Sequence, residues 1–180
     1  MTKRNIKDCK AGIASAQKLL YKFYVDRLFN VSVRYCRDTH EAKDVLQDSF
    51  VKVFQKIINF DGDLVQLESW MVKIVINTAL QNYRKQKRTF YTEDKSFVFE
   101  EAIPPSILNK LEYEEFRIII SKLPTDLRIT FNLSFVEGYK HKEIASLLGI
   151  KESSSRTRLT RAKKLLRELI INAKIVKYAH

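Results

Sequence analysis

Apolar residues recur at steps of three and four along much of this chain, the spacing that puts side chains on one face of an α-helix. From Gln17 to Cys36 the stripe is Leu20, Phe23, Tyr24, Leu28, Val31 and Tyr35. A polar break, Arg37-Asp38-Thr39-His40, follows, and either Asp38 or Thr39 is a suitable cap for the next helix. There Ala42, Val45, Leu46, Ser49, Phe50, Val53, Phe54 and Ile57 share one face, while Asp44, Gln47, Asp48 and Lys52 lie away from it. Asn59 to Asp63 reads as a turn. The stretch from Ser69 to Leu80 is apolar on most sides, except for an edge of Lys73, Asn77, Gln81 and Arg84, and it runs out into the cationic Tyr83–Arg88.

The second half carries the same period. Pro124 stands where a helix begins, since first-turn N–H groups need no helical partner. Leu127, Ile129, Thr130, Phe131, Leu133 and Phe135 follow, and Glu137-Gly138-Tyr139 breaks the run. His141–Leu148 predicts a short helix with Ile144, Ala145 and Leu148 inward, and Gly149 a tight turn. A basic helix from Glu152 to about Asn172 completes a helix-turn-helix. At about 100° per residue, Leu159, Ala162, Leu165, Leu166, Leu169 and Ile170 take one arc of that helix. Ser153, Ser154, Thr157, Thr160, Arg161 and Lys164 lie opposite, with Arg156 at a border. Small hydroxyls followed by Arg suit a major groove, where Arg takes guanine bidentately. Ser155 falls on the apolar arc and needs a backbone partner. Arg158 borders it, as an internal ion pair or a DNA contact.

Composition agrees with an all-α fold with short connections: the 180 residues hold only four Gly and three Pro. Charge then divides the chain. Residues 1–91 carry 17 Lys/Arg against 9 Asp/Glu, residues 92–115 carry 2 against 7, and residues 116–180 carry 14 against 5. Pro104 and Pro105 stop any helix within the acidic strip, which also holds Phe97, Val98, Phe99 and Ile103. The expected organisation is therefore two small helical domains, 1–91 and 116–180, joined by a linker at 92–115. A net charge of +12 points to phosphate, in nucleic acid or at a lipid surface, or else to a solubility surplus of lysine.

Other chemistry is thin. Cys9 and Cys36 stand alone, and no apolar run follows the basic N-terminus, which together predict reduced thiols in a cytoplasmic protein. No apolar stretch reaches about 18 residues, so no membrane insertion is expected. Asp61 and Asp63 form an Asp-x-Asp pair but lack the other ligands of a calcium loop. His40, His141 and His180 are scattered, with no nucleophile in a recognisable setting, so no catalytic residue, metal or cofactor is expected. Read by composition alone, Asp44, Gln47 and Asp48 are a solvated face.

Three segments together resemble the extracytoplasmic-function sigma factors of bacterial RNA polymerase across nearly the whole chain. Glu41–Phe50 is similar to the family's core-binding helix, Ser69–Ala79 to its −10-reading helix, and Lys142–Ile150 with Arg158–Lys163 to its −35-reading helix-turn-helix. The resemblance implies a protein that is not an enzyme and that directs polymerase core to promoters and helps to melt them. It turns the face of Asp44, Leu46, Gln47, Asp48 and Phe50 into a dock for the clamp helices of the largest polymerase subunit, with the flap of the second-largest subunit as a further partner. It implies that Phe60, Asp61, Lys73, Asn77, Gln81, Arg84 and Lys85 meet the −10 strand. There the Asn59–Glu68 loop, with Phe60 and Asn77, holds a flipped base. It assigns the −35 element to Ser153, Ser154, Arg156, Thr157, Thr160, Arg161 and Lys164, the arc that helical period selects by itself. An anti-sigma partner is implied as well. Two departures bear on promoter sequence rather than class. Ser153-Ser154-Ser155 replaces a usual Gly-Thr-Val, and Phe60–Trp70 is one residue longer than usual, with Asp61 where Arg is common. A stand-alone helix-turn-helix regulator is the rival, but it leaves the faces of 41–58 and 73–84 without a use.

Overall fold

The computed structural model of the chain describes the backbone of residues 1–89, 116 and 118–178, and the side chains of 1–87, 116 and 118–172. The inferred linker, including its Pro pair and Phe97, Val98, Phe99 and Ile103, lies outside the described residues. The chain forms two compact units, Met1–Phe90 and Tyr91–His180, and the described elements of both are helical.

The first unit opens with a helix that the apolar pattern left unread, α1 (Lys3–Lys10). Thr2 caps it through its hydroxyl, which accepts from Asn5 N–H, and the Asn5 side chain accepts from Thr2 N–H in return. Gly12, at φ +75°, turns the chain into α2 (Ala14–Tyr35). α2 buries Leu20, Tyr24, Leu28, Val31 and Tyr35; Phe23, expected with them, is 54% exposed, its ring set edge-on to Tyr24. Asp38 rather than Thr39 caps α3 (Thr39–Lys56), accepting from Glu41 N–H at 2.8 Å. After a turn at Ile57–Asn59, α4 runs Leu64–Thr89.

α4 begins a full turn before the expected Ser69. The Asp63 carboxylate accepts from both Val65 and Gln66 N–H at 2.9 Å, so this acid is a helix cap. α2, α3 and α4 all pack on one another. Leu67, Met71, Val75, Ile76 and Leu80 of α4 are almost wholly buried, each worth roughly 1.5–3 kcal/mol relative to exposure.

In the second unit a helical turn at 118–121 leads through Leu123 to Pro124, which stands at the N-cap of α5 (Thr125–Phe131). The helix widens into one π turn at Asn132–Val136 and ends near Gly138, at φ +75°. α6 (His141–Leu148) then has the expected bounds, and α7 runs Glu152–Tyr178, past the expected Asn172. Leu123, Phe131, Leu159, Ala162 and Leu166 form one core cluster, flanked by Ile119, Ile120, Leu127 and Leu165.

Gly149 sets the α6–α7 turn, at φ +65° and ψ +39°, with open space where a Cβ would stand. Gly149→Ala therefore loses stability through backbone strain alone, roughly 1–2 kcal/mol, and Gly149→Asn loses less. Urea denaturation followed by far-UV circular dichroism checks the order; an Ala variant at least as stable as the Asn variant would contradict it.

Candidate nucleic-acid interface

Burial of one arc of α4 decides which side chains it presents. With Ile74, Val75, Thr78, Ala79 and Leu80 inward, Lys73, Asn77, Gln81, Arg84 and Lys85 are exposed. Lys52 of α3 crosses to this edge, donating to Thr78 Oγ1 and to Gln81 Oε1, each at 3.1 Å. That bond engages the Gln81 carbonyl and leaves its NH₂ to act as donor toward a base edge or phosphate. A second tie joins the far ends of the same helices, where Gln86 Nε2 donates to Glu41 Oε1 at 2.9 Å and Arg37 N–H donates to Glu41 Oε2 at 2.8 Å. Lys52, Glu41 and Gln86 thus orient the edge. Period alone marked Lys52 as outward and gave no sign of the other two, because their partners are far away in sequence.

On α3, Asp44, Gln47 and Asp48 are exposed, with His40 Nδ1 at 3.2 Å from the Asp44 carboxylate. Leu46 and Phe50, placed on that surface by resemblance, are only 7% and 3% exposed. They belong to the inward arc, where the Phe50 ring packs 4.6 Å from Tyr21; they shape the face without lying on it.

The loop before α4 brings a similar correction. Phe60, expected to hold a base, is 7% exposed, its ring centred 5.0 Å from Trp70. Gly62 laps over the ring so closely that a Cβ there would come within 2.6 Å of it. Asp61 is exposed, whereas Leu64–Glu68, expected as loop, already belong to α4. The side chains that the loop exposes are therefore Asp61 and Asp63, the second turned back to cap α4.

On α7, Ser153, Arg156, Thr157, Thr160, Arg161 and Lys164 are exposed and Ser154 is half-buried. Thr157 and Thr160 donate their hydroxyls to the carbonyls of Ser153 and Arg156, at 3.0 and 3.1 Å. They therefore present lone pairs and methyl groups outward. Arg156 is paired with Glu152 one turn earlier. Ser155 is fully buried, and its hydroxyl lies 3.0 Å from His141 Nδ1, so its partner is the α6 imidazole rather than backbone. Arg158 is an internal residue, 2.6 Å from Asp126 of α5, with both side chains less than one-fifth exposed.

Burial, then the Asp8 carboxylate, pushes the Cys9 thiol up, which makes it a poor nucleophile. Burial, then nearby carboxylates, raises the phenols of Tyr24 (Glu68) and Tyr139 (Glu137, Glu143). Among the described residues no three His, Cys, Asp or Glu side chains are grouped to hold a metal ion, and no helix is long and apolar enough to cross a membrane.

The residues of these three faces fall within two matched family segments. Sigma-70 region 2 matches residues 20–89, and sigma-70 region 4 matches residues 113–166. The chain belongs to the sigma-70 family. Among its relatives, the ECF RNA polymerase sigma factor SigW of Bacillus subtilis is 25% identical over 180 residues, covering 93% of this chain and 96% of that one. The RNA polymerase sigma-H factor of Pseudomonas aeruginosa is 27% identical, over 86% of each chain. The sigma factor RpoE of Bartonella quintana, solved with the anti-sigma factor NepR, shares the fold at a TM-score of 0.54 and 23% identity, covering 85% of this chain and 95% of that one. This is a sigma factor of the extracytoplasmic-function group, and it directs RNA polymerase to promoters. A stand-alone helix-turn-helix regulator does not account for the region 2 match.

Arg158 holds the sigma factor's α7 to α5, and its Nη1 is buried without a hydrogen-bond partner. Asp126→Ala therefore strands a buried cation and costs about 3 kcal/mol, while adding Arg158→Met returns part of that. A double-mutant cycle by thermal denaturation checks it; strictly additive losses would mean that the two side chains do not interact.

Proposed function

We propose that the sigma factor divides its work among three exposed arcs. The face of Asp44, Gln47 and Asp48 docks on the clamp helices of the largest polymerase subunit, with Leu46 and Phe50 supporting it from beneath. The edge of Lys73, Asn77, Gln81, Arg84 and Lys85, together with Asp61 in the loop that Phe60 anchors, receives the −10 strand once it is melted. Ser153, Ser154, Arg156, Thr157, Thr160, Arg161 and Lys164 meet the −35 element in the major groove.

The observation that carries this reading is the rotation of the three helices. In α3, α4 and α7 the buried arc is mainly apolar and the opposite arc holds side chains suited to its target: acids and an amide on α3, amides and cations on α4, hydroxyls and Arg on α7. No bond is made or broken. Free in solution, the cationic arcs bind DNA weakly through phosphate. Mounted on polymerase they act together at high effective concentration, and capture of unstacked bases stabilises the melted state. The protein is then a non-enzymatic initiation factor of the cytoplasm that needs no cofactor. Its working parts are 1–91 and 116–180, joined by an acidic tether at 92–115. By family, the flap of the second-largest subunit receives the second part. An anti-sigma factor that covers these arcs is a further proposed partner, on the analogy of the Bartonella protein.

Arg161→Ala is expected to lower initiation at promoters that depend on the −35 element about tenfold, the worth of one guanidinium–base contact, while core affinity persists. Transcription assays on promoters with and without that element measure it, and an equal loss on both kinds counts against the assignment. Asp48→Arg is expected to release the protein from core without altering its thermal unfolding. Unchanged affinity for core would remove α3 from the interface.

A further inference from the structure

Lys10 lies in α1, before the residues matched by the region 2 model, which begin at residue 20. Its ammonium donates to the Phe60 carbonyl at 2.5 Å, a partly buried bond that spans 50 positions of sequence. We propose that Lys10 is a positioning residue for promoter selection, fixing the loop from Phe60 to Asp63 in the shape that meets the melted strand. This rests on the −10 assignment made above and adds to it.

The geometry around the bond is specific. α1 is held in place independently, by the reciprocal Thr2–Asn5 cap at its start and by burial of Ile6 and Cys9, and it packs on α2 and on the turn at Ile57–Asn59. Its last turn brings a cation to the C-terminal end of α3 and that turn, where helix dipole and carbonyl both favour positive charge. On the other side of the loop, Asp63 caps α4 and Gln66 Oε1 accepts from Asp63 N–H at 3.2 Å. Between the two anchors stand Asp61, exposed, and Gly62, pressed on the Phe60 ring. The Phe60 carbonyl and the Asp61 N–H belong to one planar trans peptide, so holding the oxygen on the protein side turns the N–H to the opposite side. Lys10 in this role acts through the loop and not on DNA.

The test uses the full chain with core polymerase and a set of promoters carrying each of the four bases at the position that the loop reads. Rates of strand opening are compared for Lys10→Met, which keeps the apolar stem but removes the donor, for Lys10→Arg, which restores a donor, and for Gly62→Ala, which forces the loop off the Phe60 ring. Core affinity and thermal unfolding are measured alongside. Lys10→Met is expected to reduce discrimination among the four bases about tenfold, the scale of one charge-assisted hydrogen bond. Core affinity is retained, the melting temperature falls only by the few degrees that one lost hydrogen bond entails, and Lys10→Arg recovers most of the discrimination. If Gly62→Ala loses base preference while Lys10→Met keeps it, the loop reads DNA and the role given to Lys10 is wrong. A uniform fall at all four bases with lowered melting temperature would make Lys10 merely structural, which also overturns the inference. If neither variant changes the preference, the loop does not read the strand and the −10 assignment of the loop fails first.

Discussion

The apolar arc of α4 must be buried against α2 and α3, and that requirement sets the rotation of the helix about its own axis. Once Leu67, Met71, Val75 and Leu80 are inside, a period of about 100° per residue leaves no choice about where Lys73, Asn77, Gln81 and Arg84 point. The same packing turns Asp44, Gln47 and Asp48 of α3 outward. The face of α3 proposed to meet polymerase and the edge of α4 proposed to meet DNA thus share one small core. Lys52 and Glu41 cross between the two helices and pin them together. A rotation of α4 large enough to move Asn77 breaks these bonds as well as the core.

The second unit adds polar contacts to the apolar arc of Leu159, Ala162 and Leu166. α7 is long, and its rotation is further fixed near the start by Ser155 on His141 and by Arg158 on Asp126. A buried ion pair adds little net stability against an apolar alternative but punishes misplacement strongly. That suits a helix whose N-terminal side chains have to be presented in one orientation, with Gly149 supplying the tight turn before it.

Most of this was legible in the sequence wherever the signal is local and periodic. The α6 bounds, the glycine turn, the inward face of α3 and the exposed edge of α4 all follow from spacing and from Gly or Pro punctuation. What was missed depends on contacts between distant residues, or on short segments. α1 carries a capping pair, but with Asn5 where Glu or Gln would make the stronger signature, and it is too short for its period to stand out. Asp63 read as half of an acidic pair because nothing in the sequence says that its carboxylate caps α4. Phe60 became a base-holding ring by resemblance, yet Trp70 and Gly62 enclose it. Leu46 and Phe50, placed on a surface by resemblance, have a spacing that puts them inside, and both are buried. Of Ser155 the sequence foretold the need for a partner but not the identity of His141.

The α4 edge is proposed to meet single-stranded promoter DNA only when α3 is seated on polymerase. Photo-crosslinking from an unnatural amino acid at Asn77 tests this most directly, with promoter DNA in the presence and absence of core enzyme. The account predicts crosslinks confined to one melted strand near the −10 element and dependent on core. Crosslinks to duplex DNA of equal strength without core, or none in the open complex, would contradict it.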